Sequence, residues 1–60
     1  MIVEAIREAM KIRNLKQKEL AEIVGITKST MSLFLNGKTK LGQEKIETIF
    51  RVLNIKLIIE

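Results

Sequence analysis

The stretch QKELAEIVGITKSTMSLFLN, residues 17–36, decides the fold of this chain. On both sides of Gly25 its apolar residues recur every three or four positions, which is the spacing of amphipathic helices. Glycine has no Cβ and permits a sharp turn at the end of a helix. Two positions later, the hydroxyl of Thr27 can accept from an amide in the first turn of a following helix. The stretch therefore predicts helices over 17–24 and 28–35, joined by a tight turn.

Small and apolar side chains are expected to hold these two helices together. Ala21 lies where they would cross, and its short side chain lets the two backbones approach closely. The remaining apolar side chains of the stretch form one set that would face the rest of the domain: Leu20, Val24, Ile26, Met31 and Phe34. Because Met31 and Phe34 lie at helical spacing, we assign them to the core and not to a ligand site.

Two further helices flank this stretch. Apolar residues at helical spacing predict a helix over 2–13, and Asn14, which tolerates the left-handed conformation, is placed to end it. The pair Asn36-Gly37 would end the helix over 28–35 and begin a loop over 36–42. A last helix is expected over 43–53, with an apolar stripe on one side: Ile46, Ile49, Phe50 and Leu53. The fold class predicted for residues 1–54 is all-α.

The C-terminal segment 55–60 has a different pattern. It is rich in β-branched and apolar residues that favour a strand: Ile55, Leu57, Ile58 and Ile59. A lone strand cannot satisfy its own backbone groups, and no other part of the chain has a strand pattern. We expect a short C-terminal β-strand that pairs with the same segment of a second subunit and so serves dimerisation. The alternatives are a continuation of the preceding helix and a terminus packed on its own core.

Length and composition exclude several classes of protein. Sixty residues form one domain, and the chain contains no cysteine and no histidine. Disulfides, Cys/His metal sites and the usual nucleophile–base pairs therefore cannot be assembled. We predict a protein that is not an enzyme and has no cofactor and no metal site. No apolar run approaches the length of a membrane span and no signal peptide is evident, so we expect a cytoplasmic protein without a membrane partner.

The distribution of charge is more informative than the net value of +4. Residues 27–42 contain Lys28, Lys38 and Lys40 and no acidic residue. A basic segment without acids is what a phosphate-facing surface requires. A solvated loop that carries three lysines by chance explains the charge equally well.

The outward positions of the helix over 28–35 carry short, flexible or basic side chains: Lys28, Ser29, Thr30, Ser32 and Leu33. Such side chains can hydrogen-bond the edges of bases or contact the methyl group of thymine.

At this point the sequence resembles the Cro/phage-repressor (XRE) family of helix-turn-helix transcriptional regulators. The resemblance covers about residues 17–40 and consists of Gln17, Leu20-Ala21, Val24-Gly25-Ile26-Thr27, Met31-Ser32, Phe34 and Asn36-Gly37-Lys38. It implies a compact, lambda-repressor-like domain of four to five helices. It also implies a sequence-specific regulator of transcription that binds double-stranded DNA.

The resemblance also implies roles for individual residues. The first residues of the helix over 28–35 would enter the major groove, which makes Lys28, Ser29, Ser32 and Leu33 candidates for base contact, with Thr30 less directly placed. Lys28 could equally bind phosphate, because lysine lacks the planar fork of arginine. The phosphate contacts would come from residues on either side of this helix: Gln17, Thr27, Asn36, Lys38 and Lys40.

Three features depart from the family pattern. Lys16 occupies a position where many relatives have a capping serine or threonine, so we expect weaker capping of the helix over 17–24. Leu35 replaces a residue that is commonly polar, and it is either a contact for a partner subunit or a peripheral core residue. The helix over 28–35 lacks the side chains that most often make bidentate base contacts, so DNA shape would supply part of the specificity.

The function expected from these features is a homodimeric repressor or Cro-like regulator on a pseudo-palindromic operator. Some relatives with a C-terminal strand are antitoxins, so a second interpretation is an antitoxin that binds a toxin partner. A third is a protein-binding module for a partner such as a polymerase subunit. The acid-free segment 27–42 favours DNA.

Overall fold

The computed structural model describes residues 2–54. This part of the chain consists of four helices and the turns and loop that join them, and it contains no strand. The helices are α1 (Ile2–Arg13), α2 (Gln17–Val24), α3 (Lys28–Leu35) and α4 (Gln43–Leu53). The predicted all-α class is confirmed, and each of the four helices has the predicted bounds. The predicted strand over 55–60, with Ile55, Leu57, Ile58 and Ile59, lies outside the described residues.

Left-handed residues end the helices where the sequence indicated. Asn14 follows α1 with φ +53°. Gly25 follows α2 with φ +86°, and the amides of Gly25 and Ile26 both donate to the carbonyl of Ala21, at 2.9 and 3.0 Å. These bonds satisfy groups that the end of a helix leaves without intrahelical partners. The chain therefore turns sharply between α2 and α3.

α3 is closed at both ends by local hydrogen bonds. At its start, the hydroxyl of Thr27 accepts from the amide of Thr30 at 3.0 Å, which is the predicted cap. At its end, Gly37 has φ +73° and its amide donates to Phe34, while the amide of Lys38 donates to Leu33 at 2.8 Å. This pair of bonds is a Schellman motif. An eight-residue helix is too short to be stable alone, and these caps help to hold it.

The core lies where the four helices meet. Its buried side chains come from every helix: Ile6, Met10, Leu20, Ala21, Val24, Met31, Phe34, Leu35, Ile49, Phe50 and Leu53. Ile26 and Ile46 are partly buried and pack against this set. Leu35 is only 3% exposed, so within this chain it is a core residue. Met31 and Phe34 are buried as predicted.

The packing order leaves one helix at the edge of the domain. α3 packs chiefly on α2 and more lightly on α1, whereas α4 packs on α1 and α2. The backbones of α3 and α4 do not approach each other: no Cα atom of one lies within 8 Å of a Cα atom of the other. Lys28, Ser29 and Leu33 of α3 are exposed, whereas Met31, Phe34 and Leu35 are buried, so one side of this helix faces away from the core.

Three cations from other helices bind carbonyls at the ends of their neighbours. Arg7 donates to Leu35 at the end of α3, at 2.9 Å. Lys45 donates to Val24 at the end of α2, at 3.3 Å. Arg13 donates similarly at the end of α4. Carbonyls in the last turn lack intrahelical partners and carry partial negative charge, so a cation there stabilises both the helix end and the contact between helices.

Candidate nucleic-acid interface

The outward face of α3 forms a shallow, open groove. Four of the five predicted base-contact residues line it: Lys28, Ser29, Ser32 and Leu33. Lys28, Ser29 and Leu33 are exposed, and Leu33 keeps 49% of its surface accessible although it is apolar. Among the described residues no other helix covers this face. The groove combines a cation, two hydroxyls and an apolar surface within fewer than two helical turns.

Thr30, the fifth predicted base-contact residue, does not line this groove. Its amide donates to the hydroxyl of Thr27, and the two hydroxyls are hydrogen-bonded at 2.9 Å. Thr30 is half-buried, whereas Thr27 is exposed. The pair therefore fixes the start of α3, and its hydroxyls are partly committed to each other.

Asn36 at the end of α3 is held by an internal network. Its amide nitrogen donates to the carbonyl of Ser32 at 2.8 Å and lies 3.4 Å from the hydroxyl of the same residue. Its side-chain oxygen accepts from Arg7 at 3.2 Å. Both polar atoms of the Asn36 side chain are thus engaged within the chain. A contact of Asn36 with phosphate would therefore have to use the second hydrogen of its side-chain amide nitrogen.

Lysines border both ends of α3. Lys28 begins the helix, and Lys38 follows it with an exposed side chain, its backbone anchored by the bond to Leu33. Lys40 lies further along the same loop and is also exposed. α3 spans about 12 Å, at about 1.5 Å of rise per residue. The loop therefore adds positive charge close to the C-terminal end of the groove.

Gln17 begins α2 and is half-buried in a cleft that faces α1. The lysine before it gives no side-chain cap, because an ammonium group has no lone pair to accept a hydrogen bond. The carboxylate of Glu19 accepts instead from the amide of Lys16 at 2.9 Å. The start of α2 thus keeps one half of a capping box, and the weaker capping expected at Lys16 is partly compensated.

The fold and the face of α3 agree with the comparison with known families. A family model described as helix-turn-helix matches residues 6–59 of the chain. The chain belongs to this family. The resemblance to the Cro/phage-repressor (XRE) type is therefore confirmed. A search of curated proteins found no significant match, and a search of solved structures found none either.

Membership of the helix-turn-helix family identifies the chain as a DNA-binding transcriptional regulator of the XRE type. The domain is a regulatory and not a catalytic one. Within residues 2–54 no group of acidic side chains is arranged to hold a metal ion. None of the described helices combines the length and the apolar surface that crossing a membrane would require.

Sequence reasoning missed the residues that hold this helix-turn-helix in place from outside. Arg7 and Lys45 reach the ends of α3 and α2 from positions 28 and 21 residues away in sequence. Both belong to helices whose basic side chains otherwise look like an ordinary solvated face. No local pattern distinguishes them, because the carbonyls they bind come from other helices.

Proposed function

We propose that the chain is a repressor or Cro-like regulator that acts as a homodimer on a pseudo-palindromic operator. In this proposal α3 enters the major groove of double-stranded DNA. The supporting observation is the outward face of residues 28–33, which is open, free of acids and uncovered by any described helix. A B-DNA major groove is wide enough to admit such a helix.

The line of groove residues suggests how bases would be read. Ser29 and Ser32 can donate to or accept from base edges, and the exposed Leu33 can contact the methyl group of thymine. Lys28 can donate to guanine or to a phosphate at the start of the helix. Thr30 would contribute less to base contact than Ser29 and Ser32, because its hydroxyl is hydrogen-bonded to that of Thr27. Without a bidentate side chain on α3, DNA deformability adds to the specificity.

Residues around α3 and the start of α2 would position the protein on the DNA backbone. Lys38 and Lys40 are exposed cations, and the amides at the start of α2, beside Gln17, favour an anion. Thr27 and Asn36 flank α3 and would contribute polar contacts of lesser strength, because internal hydrogen bonds already occupy them. Contacts of this kind orient the protein and make binding strongly dependent on salt.

The homodimer follows from the size of the domain and from the segment 55–60. One eight-residue recognition helix reads only a few base pairs, so a second subunit is needed for a useful operator length. Pairing of the two C-terminal segments around a two-fold axis would bring two copies of α3 to half-sites about 34 Å apart. Occupancy of such an operator blocks access of polymerase.

Selection of bound sequences from a random pool of duplex DNA tests this proposal. We expect enrichment of a pseudo-palindrome whose half-sites are about one helical turn apart. A variant Ser29→Ala should enrich a different base at one position of each half-site. A pool without enrichment at low salt would overturn the proposed sequence-specific binding. An enriched site without two-fold symmetry would overturn the proposed homodimer.

A further inference from the structure

The outward face of α3 has a centre that two residues occupy. The buried side chains of Met31, Phe34 and Leu35 define the inward direction of this helix. Successive residues of a helix are rotated by about 100°, so the opposite direction passes between Ser29 and Leu33, within about 30° of each. Both residues are exposed. They therefore form the part of α3 that points most directly away from the core.

The other candidate base-contact residues lie on the flanks of this centre. On the same helical geometry, Ser32 and Thr30 lie about 75° and about 85° from the outward direction, on opposite sides. Their half-burial agrees with these positions. Lys28 is rotated by about 115° and lies on the side of Ser32, so its long side chain reaches the groove from the edge. A cation at the edge is better placed for a phosphate than for a base.

The hydroxyl groups of α3 differ in how they are engaged. That of Thr30 is hydrogen-bonded within the cap of the helix, and that of Ser32 lies 3.4 Å from a side-chain amide nitrogen. The hydroxyl of Ser29 has no hydrogen-bond partner within residues 2–54. Leu33 follows one turn later, and helical side chains lean toward the N-terminus, so it leans toward Ser29. The centre of the face thus combines an available hydroxyl with an apolar side chain.

We propose that Ser29 and Leu33 together read a pyrimidine that carries a methyl group on C5, which is thymine or 5-methylcytosine. The inference rests on the proposed function, because α3 has to lie in the major groove. Thymine presents its O4 acceptor and its C5-methyl group side by side in that groove. The hydroxyl of Ser29 donates to O4, and Leu33 covers the methyl group. In 5-methylcytosine an amino group replaces O4, and the same hydroxyl can accept from it.

Bases without this methyl group fit the pair less well. Cytosine and uracil would leave a gap beside Leu33, and side-chain atoms that face a gap lose their dispersion contacts. Purines present the N7 acceptor in the major groove, and a leucine against it would bury that acceptor without a donor. The hydroxyl of Ser29 can serve either pyrimidine as donor or acceptor. Discrimination between pyrimidines at this position therefore depends on the methyl group.

The apolar surface of the groove matches a methyl group in size and is too small for a protein partner. Leu33 is 49% exposed, and the other residues that line the groove are all polar: Lys28, Ser29 and Ser32. A stable protein interface buries roughly 800 Å² on each partner, which one leucine does not provide. The surrounding segment 27–42 contains three lysines and no acid, and this charge favours DNA.

Removal of single methyl groups from the DNA tests the proposal with the full-length protein. In the duplex selected from the random pool, each thymine is replaced in turn by deoxyuridine, which lacks only the methyl group. At one thymine of a half-site we expect binding to weaken about fourfold, the effect of losing one buried methyl-sized group. With cytosine at that position, methylation of its C5 should strengthen binding by about the same factor.

The outcomes separate this inference from the proposed function. A duplex that binds but shows no effect of any thymine methyl group would overturn the inference and leave the proposed function intact. A selected site without a preferred thymine would do the same. Failure to bind any duplex would overturn the proposed function, and the inference with it.

Variants of Leu33 assign the methyl contact to its residue. In Leu33→Ala, both methyl effects should vanish, whereas Leu33→Met keeps an apolar side chain of similar size and should retain them. Ile23→Ala shortens another exposed apolar side chain, on α2, and should also retain both effects. Circular dichroism checks that each variant is folded. Methyl effects in Leu33→Ala as large as in the wild type would overturn the proposal.

Discussion

The guanidinium of Arg7 donates to the carbonyl of Leu35, the last residue of α3, at 2.9 Å. The same guanidinium donates to the side chain of Asn36 at 3.2 Å. Arg7 of α1 therefore holds the C-terminal end of α3 by hydrogen bonds, and the Thr27 cap lies at the opposite end of that helix. The outward face of α3 is therefore fixed at both ends, by a local cap at its start and by a residue from another helix at its end.

Replacement of Arg7 by alanine should destabilise the domain by about 1–2 kcal/mol. A partly buried hydrogen bond from a charged donor is lost, and the end of α3 loses its cation. Urea denaturation followed by circular dichroism measures the change in the free energy of unfolding. Lys11→Ala, at an exposed position of the same helix, is the matched control and should change it by less than about 0.5 kcal/mol. Equal effects of the two substitutions would show that the contact with Leu35 contributes nothing.

Replacement of Thr27 by valine should cost about 1 kcal/mol of stability. Valine has nearly the same shape but cannot accept from the amide of Thr30, so one donor in the first turn of α3 loses its partner. Thr27→Ser retains the hydroxyl and should be close to wild type. Thermal unfolding of the three proteins is the measurement. A valine variant as stable as the serine variant would mean that the cap does not stabilise α3.

Local signals explain why the sequence predicted the helices well. Asn14, Gly25 and Gly37 lie in the left-handed conformation that their residue types favour, and Thr27 caps α3 as expected. Each of these signals acts within four or five residues, so the sequence displays it directly. The exposure of the α3 face follows from the same periodicity, because the residues between the core positions must point outward.

The contacts between distant elements could not be predicted. The bonds of Arg7, Arg13 and Lys45 to the ends of neighbouring helices depend on how those helices are arranged. Leu35 could be placed only when the position of α1 and α2 against α3 was known, and it proved to be buried. The resemblance predicts a phosphate contact for Asn36, whereas its internal hydrogen bonds depend on the folded positions of Arg7 and Ser32.

Replacement of Gly25 by alanine should destabilise the domain by about 1–2 kcal/mol through its backbone alone. The residue has φ +86°, and an added Cβ would lie 3.5 Å from the nearest atom, the Nζ of Lys45, which is an ordinary contact. Strain in the left-handed conformation is therefore the expected cause, and not a clash. Gly25→Asn is the control, because Asn14 and Asn54 adopt this conformation at the ends of α1 and α4. If the asparagine variant lost as much stability as the alanine variant, steric crowding would be the better explanation.

Replacement of Lys38 by alanine should weaken binding to all duplex sequences about equally and reduce the salt slope of the binding constant by about 1. In the proposed complex this exposed lysine, just beyond the end of α3, neutralises one phosphate and releases its counterion. The matched control is Arg51→Ala, which removes the same charge from an exposed position on α4, a helix with no Cα atom within 8 Å of those of α3. At 0.1 M salt, a charge beyond a Debye length of about 10 Å is largely screened, so the control should leave the slope nearly unchanged. Fluorescence anisotropy titrations between low and moderate salt give both slopes. Identical slopes for the two variants would place Lys38 away from the DNA.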